Sequence, residues 1–243
     1  MSREVRVLIL DAAIHRNIYQ PVRHWARHID GAVEAFRVSE GEFPSSLGGF
    51  THAILTGSEA SINQDHPWIL GECDVVRQLA ERRIPILGSC FGHQLALRAL
   101  AGKQHVRASA TPEFGWLEVH STPEAATDPV FSVLPKPWLV FSSHFDEVHS
   151  LPPDWQVLAS SAECRCAAVR WTRGPVWGIQ HHPEIDIEDG EVLLAALQEM
   201  MLDKADLVRS KLQSEHRDSG VTSLLVRAFL GVSGEARQRG KDS

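Results

Sequence analysis

"ILGSCFGHQLAL", Ile86 to Leu97, sets one cysteine between glycines where an apolar run meets a helical pattern. Ile84–Ser89 reads as a buried strand and Phe91–Ala101 as the helix behind it. A strand that turns abruptly into a helix strains its turn residue and needs small neighbours, which Gly88, Ser89 and Gly92 supply. At a helix N-terminus the Cys90 thiolate would be favoured by the helix dipole and by unpaired backbone N–H groups. The N–H of Phe91 would point to where an oxyanion forms when the sulfur attacks a carbonyl. Free cysteine is also among the most commonly buried residues, as a small hydrophobe. The turn by itself leaves both readings open.

Upstream of this turn, Val5–Leu10 is a short β-branched run of the kind buried in a parallel sheet. A helix is predicted around Tyr19–Ile29, with Pro21 in its first turn. Gly31–Ser39 alternates as a second strand, and His52–Ser58 is a third that ends in a glycine turn. Asp65–Arg83 carries Ile69, Cys73, Val76 and Leu79 on one helical face. Strand and helix alternating in this way predict an α/β fold: an open, mainly parallel sheet with helices on both faces. From His105 to Gln180 the apolar segments are short and punctuated by proline and glycine, which predicts extra antiparallel strands. Glu188–Met201 returns as an amphipathic helix. The expected organisation is one catalytic domain over 1–203 and a C-terminal helical extension over 204–243. Ala205–Arg217 and Ser223–Leu230 would form a broken helix before a polar end. The apolar residues of this extension suit packing back on the domain or a homodimer contact.

Bulk properties narrow the function classes. The 243 residues carry a net charge of −7, which argues against phosphate-backbone binding as a main task, so no nucleic acid is expected. No apolar run reaches the roughly 18 residues of a membrane helix, and no membrane association is expected. Residues 1–13 read as the approach to a strand rather than a signal peptide. Cys73, Cys90, Cys164 and Cys166 show no disulfide spacing, so a reduced cytoplasmic protein is expected. Thirteen histidines are present, yet no HExxH or paired Cys/His motif appears, and neither metal nor other cofactor is expected.

A nucleophilic cysteine needs a base, and the base needs an orienting group. "VWGIQHHPEI", Val176 to Ile185, offers candidates where an apolar run ends. In open α/β sheets the carboxyl ends of strands are where ligands bind. Pro183 keeps His182 out of helical geometry. Glu184, two residues on, can accept an imidazole N–H and set the tautomer. Taken alone, a His-Pro-Glu run also suits an ordinary solvated loop.

Together, "GSCFGHQ" and "GIQHHPE" resemble the glutaminase domain of the class I, triad-type glutamine amidotransferases, over about Val5 to Met201. The resemblance implies Cys90 as nucleophile, His182 as general base and acid, and Glu184 as its orienter. It gives His181 and His93 no catalytic part. The turn "TGSE" after the third strand stands where the family has its second oxyanion donor, which implies the N–H of Gly57 or Ser58 beside that of Phe91. Here the turn lacks the family's proline. Gln94 matches a glutamine that contacts the amino-acid portion of the substrate. "FSSHFDEV" resembles the GMP synthetase branch, where groups near Ser143, His144 and Phe145 hold the substrate's α-amino and α-carboxyl groups. Asp146 and Glu147 read as a solvated acidic pair in a turn.

The implied reaction is hydrolysis of a γ-glutamyl amide through a glutamyl thioester. Its implied ligand is glutamine or a γ-glutamyl small molecule, and its implied partner is a separate ammonia-accepting synthetase. "HPWILGECDVVRQL" and "HFDEVHSLPPDWQVLASS" are also similar to free-standing γ-glutamyl peptidases, which need no such partner. A binding or regulatory relative with the same fold and no turnover is the third reading.

Overall fold

Four short runs are buried, apart from Arg6 at the start of the first, because strands cover both their edges and helices cover both their faces. In the computed structural model, which describes residues 4–200 and 220–234, these are β1 (Arg6–Leu10), β3 (His52–Leu55), β4 (Ile86–Ser89) and β9 (Val176–Ile179). The remaining strands are β2 (Ala32–Phe36), β5 (Val106–Ser121), β6 (Trp138–Val148), β7 (Trp155–Ser160) and β8 (Ala168–Trp171). All nine form one sheet in the order β2-β1-β3-β4-β9-β8-β7-β5-β6.

Period-two alternation sends the side chains of one strand into different cores. Leu8, Leu10, Leu55 and Ile86 pack under α2 (Pro67–Glu81) and α3 (Phe91–Ala101). Val7, Ile9, Ile54 and Leu87 face the other way. There they meet Trp25 of α1 (Pro21–Ala26) and Val221, Leu225, Val226 and Phe229 of α5 (Val221–Leu230). Helices therefore cover both faces, as the sequence predicts. The alternation of β2 belongs to an edge strand that is only half buried.

The expectation of a mainly parallel sheet needs correction. The pairings β1–β2, β1–β3, β3–β4 and β4–β9 are parallel. The pairings β9–β8, β8–β7, β7–β5 and β5–β6 are antiparallel, so the sheet is mixed in equal parts. Connection length is the physical reason. A parallel crossover needs a dozen or more residues, and the stretch 172–175 between β8 and β9 permits only a hairpin. β9 belongs to both halves, parallel to β4 and antiparallel to β8.

α4 (Ile187–Met200) closes a third cluster, in which Leu194 joins Tyr19, Phe114, Trp116, Phe141 and Ile185. Of the expected extension 204–243, residues 204–219 and 235–243 lie outside the described residues, Ala205–Arg217 among them. One face of the part that is described joins the core: the Phe229 ring lies 5.1 Å from that of His52 and 6.4 Å from that of Trp177. No helix among the described residues is long and apolar enough to cross a membrane.

Candidate functional site

The parallel half of the sheet brings the candidate residues together. β4 and β9 are adjacent and in register to their carboxyl ends, Ser89 opposite Ile179. The next residue of each chain segment is therefore a neighbour: the Cys90 N–H donates to the Ile179 carbonyl at 2.9 Å. Two residues beyond Gln180, the His182 N–H donates to the Phe141 carbonyl at 2.8 Å, which pins the loop against β6.

Cys90 sits between β4 and α3 at φ 48, ψ −108, a left-handed conformation that costs a non-glycine residue about 1–3 kcal/mol. Close packing holds it there. A Cβ on Gly92 would collide with the Leu55 carbonyl, so the first turn of α3 can lie against β3 only with glycine at this position. The Cys90 Sγ faces the Ser143 carbonyl at 3.7 Å, and Gln180 Nε2 approaches it at 3.9 Å. All four cysteines are free. Burial pushes the thiols of Cys73 and Cys166 up to about 11 and that of Cys164 well above its usual value. Cys90 alone among them lines the main cavity.

That cavity measures about 380 Å³. Its walls include Ser58, Cys90, Phe91, Gln94, Ser143, His144, Phe145 and His182, so eight of the sequence-predicted site residues meet at one place. Gly57 and Glu184 stand behind this lining. A Cβ on Gly57 would come within 2.6 Å of His182 Cε1, so only glycine lets the imidazole lie against this turn. Glu184 Oε1 accepts the His182 Nδ1 proton at 2.9 Å and is fully buried. This bond leaves the opposite ring nitrogen for the Cys90 side.

Burial by itself would lower the His182 pKa. The negative charge available at Cys90, then that of Glu184, and hydrogen bonds to both residues outweigh it and raise the pKa well above the usual value. Burial would likewise raise that of Glu184, but the His182 charge and the hydrogen bonds from His182 and Tyr19 hold it below the usual carboxylate range.

Sequence reading missed three parts of this arrangement. Tyr19, the only tyrosine in the chain, donates its hydroxyl proton to Glu184 Oε1 at 2.6 Å and meets the His182 ring edge-on. Burial, then the Glu184 charge, raises its pKa well above 10, so the hydroxyl stays a donor. Arg27 bonds the Glu184 carbonyl at 2.8 Å and fixes the loop from outside. Gln180 accepts from Gln94 Nε2 at 3.2 Å, and the same nitrogen donates to the Asp146 carbonyl at 2.7 Å. A single tyrosine ahead of a helix, or an arginine just after it, has no local pattern that would single it out.

Two expectations on the acidic pair need correction. Asp146 and Glu147 lie in β6 rather than in a turn, and both are buried rather than solvated. Asp146 accepts from the Ser61 hydroxyl, the Ile62 N–H and the Asn63 amide, tying the stretch 61–63 to β6. Glu147 accepts from Arg107 and Ser109.

The family model for glutamine amidotransferase class-I matches residues 8–196. The chain belongs to the class I glutamine amidotransferase family. Among curated amidotransferases it is similar to one of the subunits of the glutamine-hydrolysing GMP synthase of Pyrococcus abyssi, 37% identical over 126 residues, 51% of this chain and 64% of that one. The corresponding polypeptide of Methanothermobacter thermautotrophicus is 37% identical over 115 residues, 47% of this chain and 58% of that one. The chain thus spans less than two thirds of the relatives it matches. A glutamine amidotransferase from Thermotoga maritima superposes with a TM-score of 0.76 at 20% identity, over 93% of this chain and 96% of that one. One from Methylobacillus flagellatus gives 0.71 at 19% identity, over 99% and 98%. At such identities the two structures establish the shared fold.

Proposed function

We propose that the chain hydrolyses the γ-amide of glutamine, or of a γ-glutamyl compound, with Cys90 as nucleophile, His182 as acid and base, and Glu184 as its orienter. The observation that carries this reading is the buried line Cys90–His182–Glu184 opening on one cavity. A raised imidazole pKa beside a thiol favours a thiolate–imidazolium pair, the reactive form of cysteine hydrolases.

The sulfur adds to the γ-carbonyl carbon, and the carbonyl oxygen becomes an oxyanion. The N–H of Phe91, first residue of α3 and without a partner inside its helix, is one donor to it. The N–H of Gly57 or Ser58 is the other. His182 gives its proton to the departing nitrogen, the C–N bond breaks, and a glutamyl thioester remains. Water deprotonated by His182 then adds to the thioester carbon and releases glutamate and the thiolate. Gln94, Ser143, His144 and Phe145 hold the amino-acid end of the substrate.

Similarity to polypeptides of two-part, glutamine-hydrolysing GMP synthases supports ammonia as leaving group and a separate synthase polypeptide as its acceptor. One observation favours a second reading, a free-standing γ-glutamyl hydrolase. At about 380 Å³ the cavity falls in the range of roughly 300–1,000 Å³ that holds drug-sized ligands, and Ile18, Phe145, Leu193 and Leu197 give it an apolar side. The test compares glutamate release from glutamine and from γ-glutamyl dipeptides by the isolated protein. Cys90-dependent turnover of glutamine, stimulated by a synthase partner, supports the first reading. Efficient peptide cleavage with little glutaminase activity replaces it with the second, and no turnover on either leaves a non-catalytic relative.

A further inference from the structure

Next to the proposed site lies a second buried polar cluster, two of whose three members the mechanism does not use. Glu113 of β5 and His144 of β6 face each other across the ladder, and His181 reaches them from the end of β9. One ligand-capable atom from each of the three lies within 4.8 Å of the others, and all three residues are buried.

The hydrogen bonds of this cluster divide into inner and outer atoms. Outside, His144 Nδ1 donates to the Asp146 carbonyl at 3.1 Å, Glu113 Oε1 accepts from Ser161 at 2.6 Å, and His181 Nδ1 meets Ser142 Oγ at 3.0 Å. Inside, His144 Nε2 stands 3.1 Å from Glu113 Oε2, and His181 Nε2 has no hydrogen-bond partner. A carbonyl only accepts, so the His144 Nδ1 proton is committed outward. A neutral ring would then turn its Nε2 lone pair towards a carboxylate. A protonated His144 removes that conflict but leaves His181 Nε2 orphaned in a fully buried position, where a missing bond costs about 1–3 kcal/mol. A cation between the three inner atoms satisfies all of them. Outer partners that fix each ligand's second atom are the usual surroundings of a metal site.

We propose that Glu113 Oε2, His144 Nε2 and His181 Nε2 bind a zinc-class divalent ion. Two imidazoles and a carboxylate suit such an ion. Zinc bonds of 2.0–2.1 Å place tetrahedral ligands about 3.4 Å apart, so small side-chain rotations from the present spacings, 3.1 Å for His144–Glu113 and at most 4.8 Å for the others, complete the site. His144 also lines the main cavity, which gives the ion an entry path and a position for a fourth ligand. The ion would clamp β5, β6 and the segment that carries His182. Its role is to hold those elements, and no reaction step runs through it.

The test uses the full chain carrying Cys90→Ser, so that the thiol cannot supply a competing ligand. Elemental analysis after growth with added zinc is expected to find about one zinc per chain. The stripped protein is expected to bind cobalt(II) with the visible bands of nitrogen and oxygen ligation. His181→Phe, which fills the same buried volume, and the isosteric Glu113→Gln should each weaken cobalt binding by about 100-fold or more. Circular dichroism checks that each variant is folded, and Glu113→Gln carries the test if His181→Phe is not. Zinc-free protein without cobalt bands overturns the proposal, and so do bands that survive both substitutions.

Discussion

His181 and His182 are consecutive, both are buried, and they leave β9 towards opposite sides. His182 turns to the cavity, where Cys90 and Glu184 raise its pKa well above the ordinary value. His181 turns into the sheet, where burial outweighs the Glu113 charge and pushes its pKa down to about 3. One residue of separation converts the same side chain from a retained cation into a neutral ligand. Burial therefore does not decide protonation by itself. The number and placement of negative partners do.

Removing one of those partners should have the greatest consequence. Cys90→Ser should lower glutamate release by about 10⁴-fold or more, as for nucleophiles that act as one unit with their base. It also narrows the gap between the two histidines: without the thiolate, the His182 resonance followed by NMR should titrate at lower pH. A variant with full activity would remove Cys90 from the mechanism.

Gly57→Ala attacks the same histidine by displacement. The added methyl would stand 2.6 Å from His182 Cε1, so ring or turn must shift. Turnover should fall about 10²–10³-fold through lost alignment and a disturbed oxyanion donor, with little change in KM. Wild-type kinetics would mean that the turn is free to move and supplies neither.

Much of this arrangement is legible in the sequence, and the reason is locality. The turn at Cys90 and the His182–Glu184 spacing are each written within a few residues. The parallel core is legible because strands buried on both faces are uninterrupted apolar runs. The antiparallel half is legible as strands but not in its pairing, and it makes up four of the sheet's eight strand pairings. Tyr19 and the Glu113–His144–His181 cluster escape because their members lie on separate segments. Metal-ligand spacing is a local signal, and three strands that meet in space do not produce it.

Tyr19→Phe probes His182 from the side of its acceptor. The Tyr19 proton draws charge from Glu184 Oε1, the oxygen that holds His182. Without it Glu184 becomes the stronger acceptor and His182 more basic, which widens the gap to His181. The alkaline limb of kcat/KM, where His182 loses its proton, should move to higher pH, with turnover down by about 10-fold from looser positioning. A lower rate with an unmoved limb would reduce Tyr19 to packing.

The most modest change is expected on the neutral side, at His93. This ring is fully buried in α3 with neither nitrogen hydrogen-bonded, and burial, reinforced by His181 and His144, lowers its pKa to about 3. Its folded pKa therefore lies below the unfolded value of about 6.5, and between the two the unfolded chain holds the extra proton. Stability must then fall as pH drops from about 6.5 towards 3, by up to about 1.4 kcal/mol per pH unit from this one group. His93→Leu keeps an apolar side chain of similar size in α3 and removes the titration. Its urea midpoint should change less between pH 7 and pH 4 than that of the wild type, whatever the two midpoints are at pH 7. Parallel midpoints across that range would mean that His93 is protonated in the fold, and the contrast with His182 would then rest on His181 alone.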